Sequence, residues 1–261
     1  MNAPRQVKRI AVLVSVGRHP VSGAPRYSRN DAAALELGRG LAGKHGAQLA
    51  VLHAGDAADP ALADYLALGA SEVEVLPCGA GDDGARVLAA QLEHCDLVLT
   101  GTRAEGAYDT GMLPYRLAAV LGRPLVGAAV DVDIEGGRVA VRQFLPKGLR
   151  RRVDAALPAV VAVHPLANAQ PRYAHARLRG GAIRTAPAAR CADSDAPAWS
   201  LGAVERKPVK LAAAEKRSGH ARMLSATTTE SRGGNVVNGG TSVEKAQVIL
   251  AYLREHQLID Y

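Results

Sequence analysis

Short apolar runs alternate with amphipathic stretches through the first half of the chain, and that order leaves room for little besides a parallel sheet covered by helices. Ile10 to Val16 is continuously apolar, follows Lys8 and Arg9, and ends at Gly17, the pattern of a strand buried on both faces. A helix is expected from about Asp31 to Lys44, with Ser28 or Asn30 as its cap and Gly46 as its stop. Gln48 to His53, Glu72 to Leu76 and Leu97 to Thr100 read as three further strands. Between them, Pro60 opens one short helix, Asp82 to Glu93 forms a second, and Gly111 to Leu121 forms a third that stops at Gly122.

The pattern then changes. Val126 to Ile134 and Arg138 to Phe144 are joined across Glu135-Gly136-Gly137, a hairpin signal. A basic strand from Leu149 to Ala155 and an apolar one from Ala159 to Val163 follow, so the α/β core ends near His164. Residues 165 to 241 are rich in Pro, Gly and basic side chains, have weak periodicity, and read as an extended arm. Ser242 to His256 closes the chain as an amphipathic helix, with Ser242 expected at its N-cap. The fold class that results is α/β: a doubly wound, mostly parallel sheet of adenine-nucleotide-binding type. It carries an antiparallel hairpin extension and a long C-terminal arm ending in a helix.

Only 3% of the 261 residues are aromatic, with one Trp and one Phe, so Ala, Val and Leu must build the core. No apolar run is long enough for a transmembrane helix, and Met1 to Arg5 lacks a signal core, so a cytoplasmic location is expected. Cys78, Cys95 and Cys191 are too far apart for a metal or disulfide framework. The net charge of +7 raises nucleic-acid binding, but the basic residues are dispersed and no aromatic platform accompanies them. The densest cluster, Lys147 with Arg150, Arg151 and Arg152, suits an acidic partner or an anionic cofactor equally well.

In an open parallel sheet, ligands bind at the carboxyl ends of the strands. Three of those ends carry small residues: Ser15-Val16-Gly17, Ala54-Gly55 and Thr100-Gly101-Thr102. Small side chains let a ring and a phosphate approach the backbone. The stretch Leu97 to Pro124 is the centre of this pattern. An apolar strand runs into residues 101–111, with three glycines, two acids and two threonines, and then into a helix start that suits an anion. The loop is neither GxGxxG nor GxxxxGK[ST]. Together the three ends predict a mononucleotide site. His53 ends a strand beside it without a partner at catalytic spacing, and no side-chain constellation marks an enzyme. A freestanding ATP- or AMP-binding sensor of the stress-protein type is the alternative on these features alone.

In the order and spacing of its motifs the chain resembles the beta subunit of electron transfer flavoproteins. Val14-Ser15-Val16-Gly17-Arg18 and Asn30-Asp31 with Ala34-Leu35-Glu36 are similar to that family's opening strand and acidic first helix. Tyr65 to Ala70 resembles its "ALAMGAD" segment, and Asp96 to Gly111 resembles its "DLILTGKQAIDGDTGQ" loop. Leu121 to Pro124, Leu157 to Val163, Asn168 to Tyr173, and Gly233 to Val237 with the final helix match its later landmarks.

The resemblance implies an electron carrier subunit without catalytic residues of its own. It would form a heterodimer with an alpha subunit, share an FAD held mainly by alpha, and hold AMP structurally. Electrons would pass from flavin-dependent dehydrogenases to a membrane quinone oxidoreductase. The implied nucleotide contacts are Ser15, Ser28, Arg29, Asn30, Asp31, Ala54, Gly101, Thr102, Arg103, Ala104, Asp109, Thr110 and Gly111, the last two on the phosphate. Some family members carry a second FAD in the AMP position. The chain then divides into a nucleotide-binding core, 1–165, and a partner-recognition segment with the C-terminal arm, 166–261. It departs from the family at Thr102-Arg103, where Lys-Gln is usual, and at Ala107-Tyr108, which lengthens the loop by one residue. It departs again at the basic Lys147 to Arg152 run, and at Ala176, where the family's recognition leucine belongs and Leu178 follows two residues later.

Overall fold

The computed structural model describes residues 6–106, 110–194, 200, 218–220, 223, 237–256 and 258–259. They fall into two units, 1–199 and 200–261. In the first, the strands are β1 (Arg9–Leu13), β2 (Val16–Arg18), β3 (Pro25–Tyr27), β4 (Gln48–Gly55), β5 (Glu72–Pro77), β6 (Leu97–Gly101), β7 (Leu125–Glu135), β8 (Arg138–Phe144), β9 (Arg150–Ala156), β10 (Ala159–Val163) and β11 (Ala182–Thr185). The helices are α1 (Arg29–His45), α2 (Leu62–Ala67), α3 (Gly84–Leu92) and α4 (Leu113–Leu121).

Nine strands form one sheet in the order β11-β5-β4-β1-β6-β10-β7-β8-β9. All are parallel up to β7, and β8 and β9 extend the sheet antiparallel. The doubly wound, mostly parallel sheet and its hairpin extension are therefore as expected from the apolar runs. Gly136 and Gly137, at φ 55° and 77°, make the two-residue turn between β7 and β8. Strand β4 lies to one side of β1 and β6 to the other, so the order reverses at β1. That reversal is where such sheets open a crevice.

Alternation along the strands builds two cores. Ile10, Val12, Leu97, Leu99 and Val161 pack with α1 and α2 on one face. Ala11, Leu13, Val98 and Val160 pack with α3 and α4 on the other. Gly38 of α1 makes the first contact close: a Cβ there would stand 2.6 Å from Val12 Cγ2. Ser28 caps α1, its hydroxyl oxygen accepting the Asp31 amide at 3.4 Å, and Gly46 ends it in the left-handed conformation at φ 62°.

Val16–Arg18 and Pro25–Tyr27 form a separate antiparallel pair, β2 with β3, closed by a turn in which the His19 amide donates to the Ala24 carbonyl. The expected first strand stops at Leu13 rather than Val16, since the Ser15 amide turns out of the ladder to a side chain of α1. The arm contributes β11, which pairs in parallel with β5 from Ala182↔Glu72 to Thr185↔Val75.

In the second unit, α5 (Ser242–Glu255) is the terminal helix. Its N-cap is Thr241, not Ser242. Thr241 Oγ1 accepts the Glu244 amide at 3.3 Å while Glu244 accepts the Thr241 amide at 2.7 Å, a reciprocal box available only in that register.

Replacing Gly38 by Val should destabilise the protein by about 1–3 kcal/mol, because the added branches meet Val12 in a closed interface. Urea unfolding should show a lower midpoint at unchanged slope.

Candidate functional site

At the carboxyl ends of β1, β4, β5 and β6 lies a cavity of about 1020 Å³. Its floor is set by one buried side chain. Asp31, in the first turn of α1, is 2% exposed. Its Oδ2 accepts the Ser15 amide at 2.8 Å and the Ser15 hydroxyl at 2.6 Å. Its Oδ1 accepts the Gly101 amide at 3.0 Å. Burial pushes this carboxyl up to about 7, against the pull of the Ser15 and Gly101 hydrogen bonds, with the Glu105 charge adding to the rise. Tyr65 of α2, fully buried, donates its hydroxyl to the Ser15 carbonyl at 2.6 Å and accepts the Ser28 amide at 2.9 Å. Burial, with the charge of Asp31, raises that phenol well above its ordinary value.

The loop after β6 folds back over β1 and β2 through glycines. A Cβ on Gly101 would strike Asp31 Oδ1, one on Gly17 would strike Glu105, and one on Gly106, at φ +97°, would strike the Val16 carbonyl. Arg26 of β3 pairs with Glu105 at 2.9 Å and pins the loop from outside. Beyond it, α4 begins without a side-chain cap, after Gly111 at φ +71°. Thr110 Oγ1 accepts the Met112 amide at 3.3 Å, and Arg103 and Arg116 line the same wall. A helix terminus without a side-chain cap, with arginines on the same wall, suits an anion.

His53 of β4 holds its Nδ1 2.8 Å from the Val14 carbonyl. A carbonyl only accepts, so Nδ1 carries the proton and Nε2 is the acceptor. Burial lowers its pKa and keeps the ring neutral at pH 7. The far wall is Cys78-Gly79-Ala80 after β5, with Gly84 and Ala85 of α3. A chain segment from beyond β11 closes it. Asp83 donates its amide to the Cys191 carbonyl at 2.6 Å, and Asp193 donates its amide to the Gly81 carbonyl at 2.9 Å. Arg116 of α4 bridges Asp83 at 2.9 Å and Asp193 at 3.1 Å. Among the described residues, no group of three or more His, Cys, Asp or Glu side chains is arranged to hold a metal ion.

Of the residues singled out from sequence, Ser15, Asp31, Ala54, Gly101, Arg103, Ala104, Thr110 and Gly111 line this cavity. Ser28, Arg29, Asn30 and Thr102 are not among its lining residues. Ser28 caps α1, Arg29 is exposed on it, and Asn30 Nδ2 reaches Thr102 Oγ1 at 3.4 Å. Asp109 lies outside the described residues. Sequence reasoning missed the fourth strand end, at Cys78-Gly79, and Arg116, and it left His53 without a role.

Ala176 and Leu178 sit in a 3-10 segment, His175–Gly180, laid against α2. Ala174 donates its amide to the Ala67 carbonyl at 2.9 Å, Arg177 reaches the same carbonyl at 3.4 Å, and the Tyr173 hydroxyl donates to Asp64 at 3.0 Å. Ala176 is exposed, whereas Leu178 packs on the core.

Replacing Arg116 by Ala should cost about 1–3 kcal/mol, since it takes a shared guanidinium away from two nearly buried carboxylates. In a double-mutant cycle with Asp193→Ala, thermal unfolding should give a coupling energy clearly above zero.

Residues 24–190 match a family model described as the electron transfer flavoprotein domain. The chain is also 35% identical, over 257 residues, to the electron transfer flavoprotein subunit beta of Chromohalobacter salexigens. That alignment covers 96% of this chain and 95% of its relative. With the motif order, the nine-stranded sheet and these two matches in agreement, the chain belongs to the electron transfer flavoprotein beta subunit family.

Proposed function

We propose that this chain is the beta subunit of a heterodimeric electron transfer flavoprotein, that its cavity holds AMP as a structural ligand, and that FAD is held mainly by an alpha subunit. The observation that carries the reading is the cavity itself. It sits at the switch in strand order, its floor is glycine and small residues, and it ends at the uncapped first turn of α4. The residues fit a mononucleotide. The phosphate lies against Thr110, Gly111 and the α4 terminus, with Arg103 and Arg116 beside it. Ser15, Ala54 and Gly101 line the part of the cavity that takes the nucleoside. The family allows a second FAD here, and nucleotide release from the purified protein separates the two ligands.

FAD, when bound across the interface, supplies the electron-carrying chemistry. The chain's own residues shape and dock. Ala176 and its exposed neighbours meet the flavin-dependent dehydrogenase, and Leu178 anchors that segment to the core. A membrane quinone oxidoreductase takes the electrons onward. No described helix is long and apolar enough to cross a membrane. On this reading the complex meets the quinone enzyme from the cytoplasm.

Co-purification with the alpha subunit should give a complex with flavin absorbance and one bound adenine nucleotide. A complex carrying neither overturns the proposal. Ala176→Asp should lower the rate of electron acceptance from the dehydrogenase by roughly tenfold or more with FAD content unchanged. Leu178→Asp should behave differently, losing about 2–4 kcal/mol of stability in chemical denaturation, because it puts a carboxylate against the core.

A further inference from the structure

One group in the cavity does more than line it. Asp31 Oδ2 accepts two hydrogen bonds from a single residue, the Ser15 amide and the Ser15 hydroxyl, and Ser15 itself faces the cavity. While Asp31 is ionised, the hydroxyl proton of Ser15 is committed to the carboxylate. Ser15 Oγ then shows the ligand only lone pairs. A proton on Oδ2 reverses the polarity. The acid O–H donates to Ser15 Oγ, the amide bonds from Ser15 and Gly101 still find lone pairs on the carboxyl group, and the hydroxyl hydrogen is released toward the cavity. Protonation on Oδ1 would instead oppose the Gly101 N–H, so Oδ2 is the favoured site.

We propose that Ser15 and Asp31 form a proton-linked donor/acceptor switch, so that the nucleotide binds with uptake of a proton at Asp31 and receives a hydrogen bond from the Ser15 hydroxyl. This rests on the reading that the cavity holds an adenine nucleotide. The sign follows from charge. Facing Asp31 are the neutral phenol of Tyr65 from α2, Glu105 from the loop after β6, and Arg26 from β3, which Glu105 engages. A phosphate entering the same cavity adds negative charge, which favours the neutral acid. Asp31 in the free site is poised about pH 7, so the ligand shifts it above neutrality and takes the proton from solvent. Affinity therefore rises as pH falls through the bound-state value and levels off below the free-state value.

The test is calorimetry of AMP binding to the nucleotide-depleted alpha–beta complex at pH 7.5, in buffers of different ionisation enthalpy. At that pH the phosphate of AMP is itself almost fully ionised. The wild type should take up roughly half a proton per nucleotide. Asp31→Asn should abolish the uptake. Ser15→Ala, which leaves the carboxyl in place, should lose about five- to tenfold in affinity at pH 6.5 and little at pH 8.5. Uptake absent from the wild type, or surviving in Asp31→Asn because His53 or another group is its source, overturns the switch while leaving the nucleotide site intact. Failure of AMP to bind at any pH removes the nucleotide reading and the switch together. If Asp31→Asn does not fold, the wild-type proton count and the Ser15→Ala pH profile decide the question.

Discussion

A carboxyl group buried in the first turn of α1 accepts backbone N–H groups from the ends of two neighbouring strands, and the shape of the cavity follows from that arrangement. Leaving the β1 ladder exposes the Ser15 amide, and an unpaired buried amide is costly. Asp31 satisfies it. The same carboxyl holds Gly101, which can approach only because it lacks a Cβ. Tyr65 then fixes the Ser15 carbonyl and the Ser28 amide, so α1, α2, β1 and β6 meet in one network of satisfied polar groups. Burying a carboxyl this deeply is unfavourable by itself, and its raised pKa records that cost. The network offsets the cost and yields a rigid floor, which a ligand site at a strand-order switch requires.

The opposite wall depends on a different principle. Arg116 reaches from α4 to the α3 cap Asp83 and to Asp193, so one guanidinium ties two helices to a segment beyond the last sheet strand. A planar fork can serve two carboxylates at once, which a lysine in its place would do less well. The two walls divide the work. A buried carboxyl and its hydrogen-bond donors hold the floor, and the Arg103 and Arg116 side chains lie on the wall beside the start of α4.

Much of the fold was legible because buried parallel strands have to be apolar without interruption, as in Leu97-Val98-Leu99 and Val160-Val161-Ala162-Val163. Three of the four strand ends around the cavity were legible for a similar reason, since glycine and serine directly after such a run point to close backbone approach. The fourth was not, because Pro77-Cys78-Gly79 reads as an ordinary turn. Nor was the closure by Cys191 and Asp193. Asp193 lies 77 residues from Arg116, and no local pattern encodes a contact at that separation. Strand β11 escaped notice because its four residues, Ala182 to Thr185, sit in a basic, proline-rich tract. Pairing with β5 outweighs weak local propensity there. The resemblance to a family brought Ser28 and Asn30 into view as contacts. In the fold Ser28 is a helix cap and Asn30 reaches toward Thr102, and neither is among the residues that line the cavity.

The excess of positive charge also takes on a definite meaning once the strands are placed. Arg150, Arg151 and Arg152 lie on β9, the edge of the sheet, and each is held locally. The Arg150 guanidinium stacks 4.6 Å over the Phe144 ring, and that ring stacks in turn on His164 at 4.3 Å. Arg151 binds the Gln143 side chain at 2.8 Å, and Arg152 bridges Glu135 and Asp154. Cations tied to their own strand neighbours do not form the continuous groove that follows a phosphate backbone. On an edge strand they oppose indiscriminate pairing with other sheets, the hazard that every open sheet faces. Arg150, Arg151 and Arg152 thus guard an exposed edge of the sheet, whereas Arg18, Arg103 and Arg116 are the arginines that line the cavity.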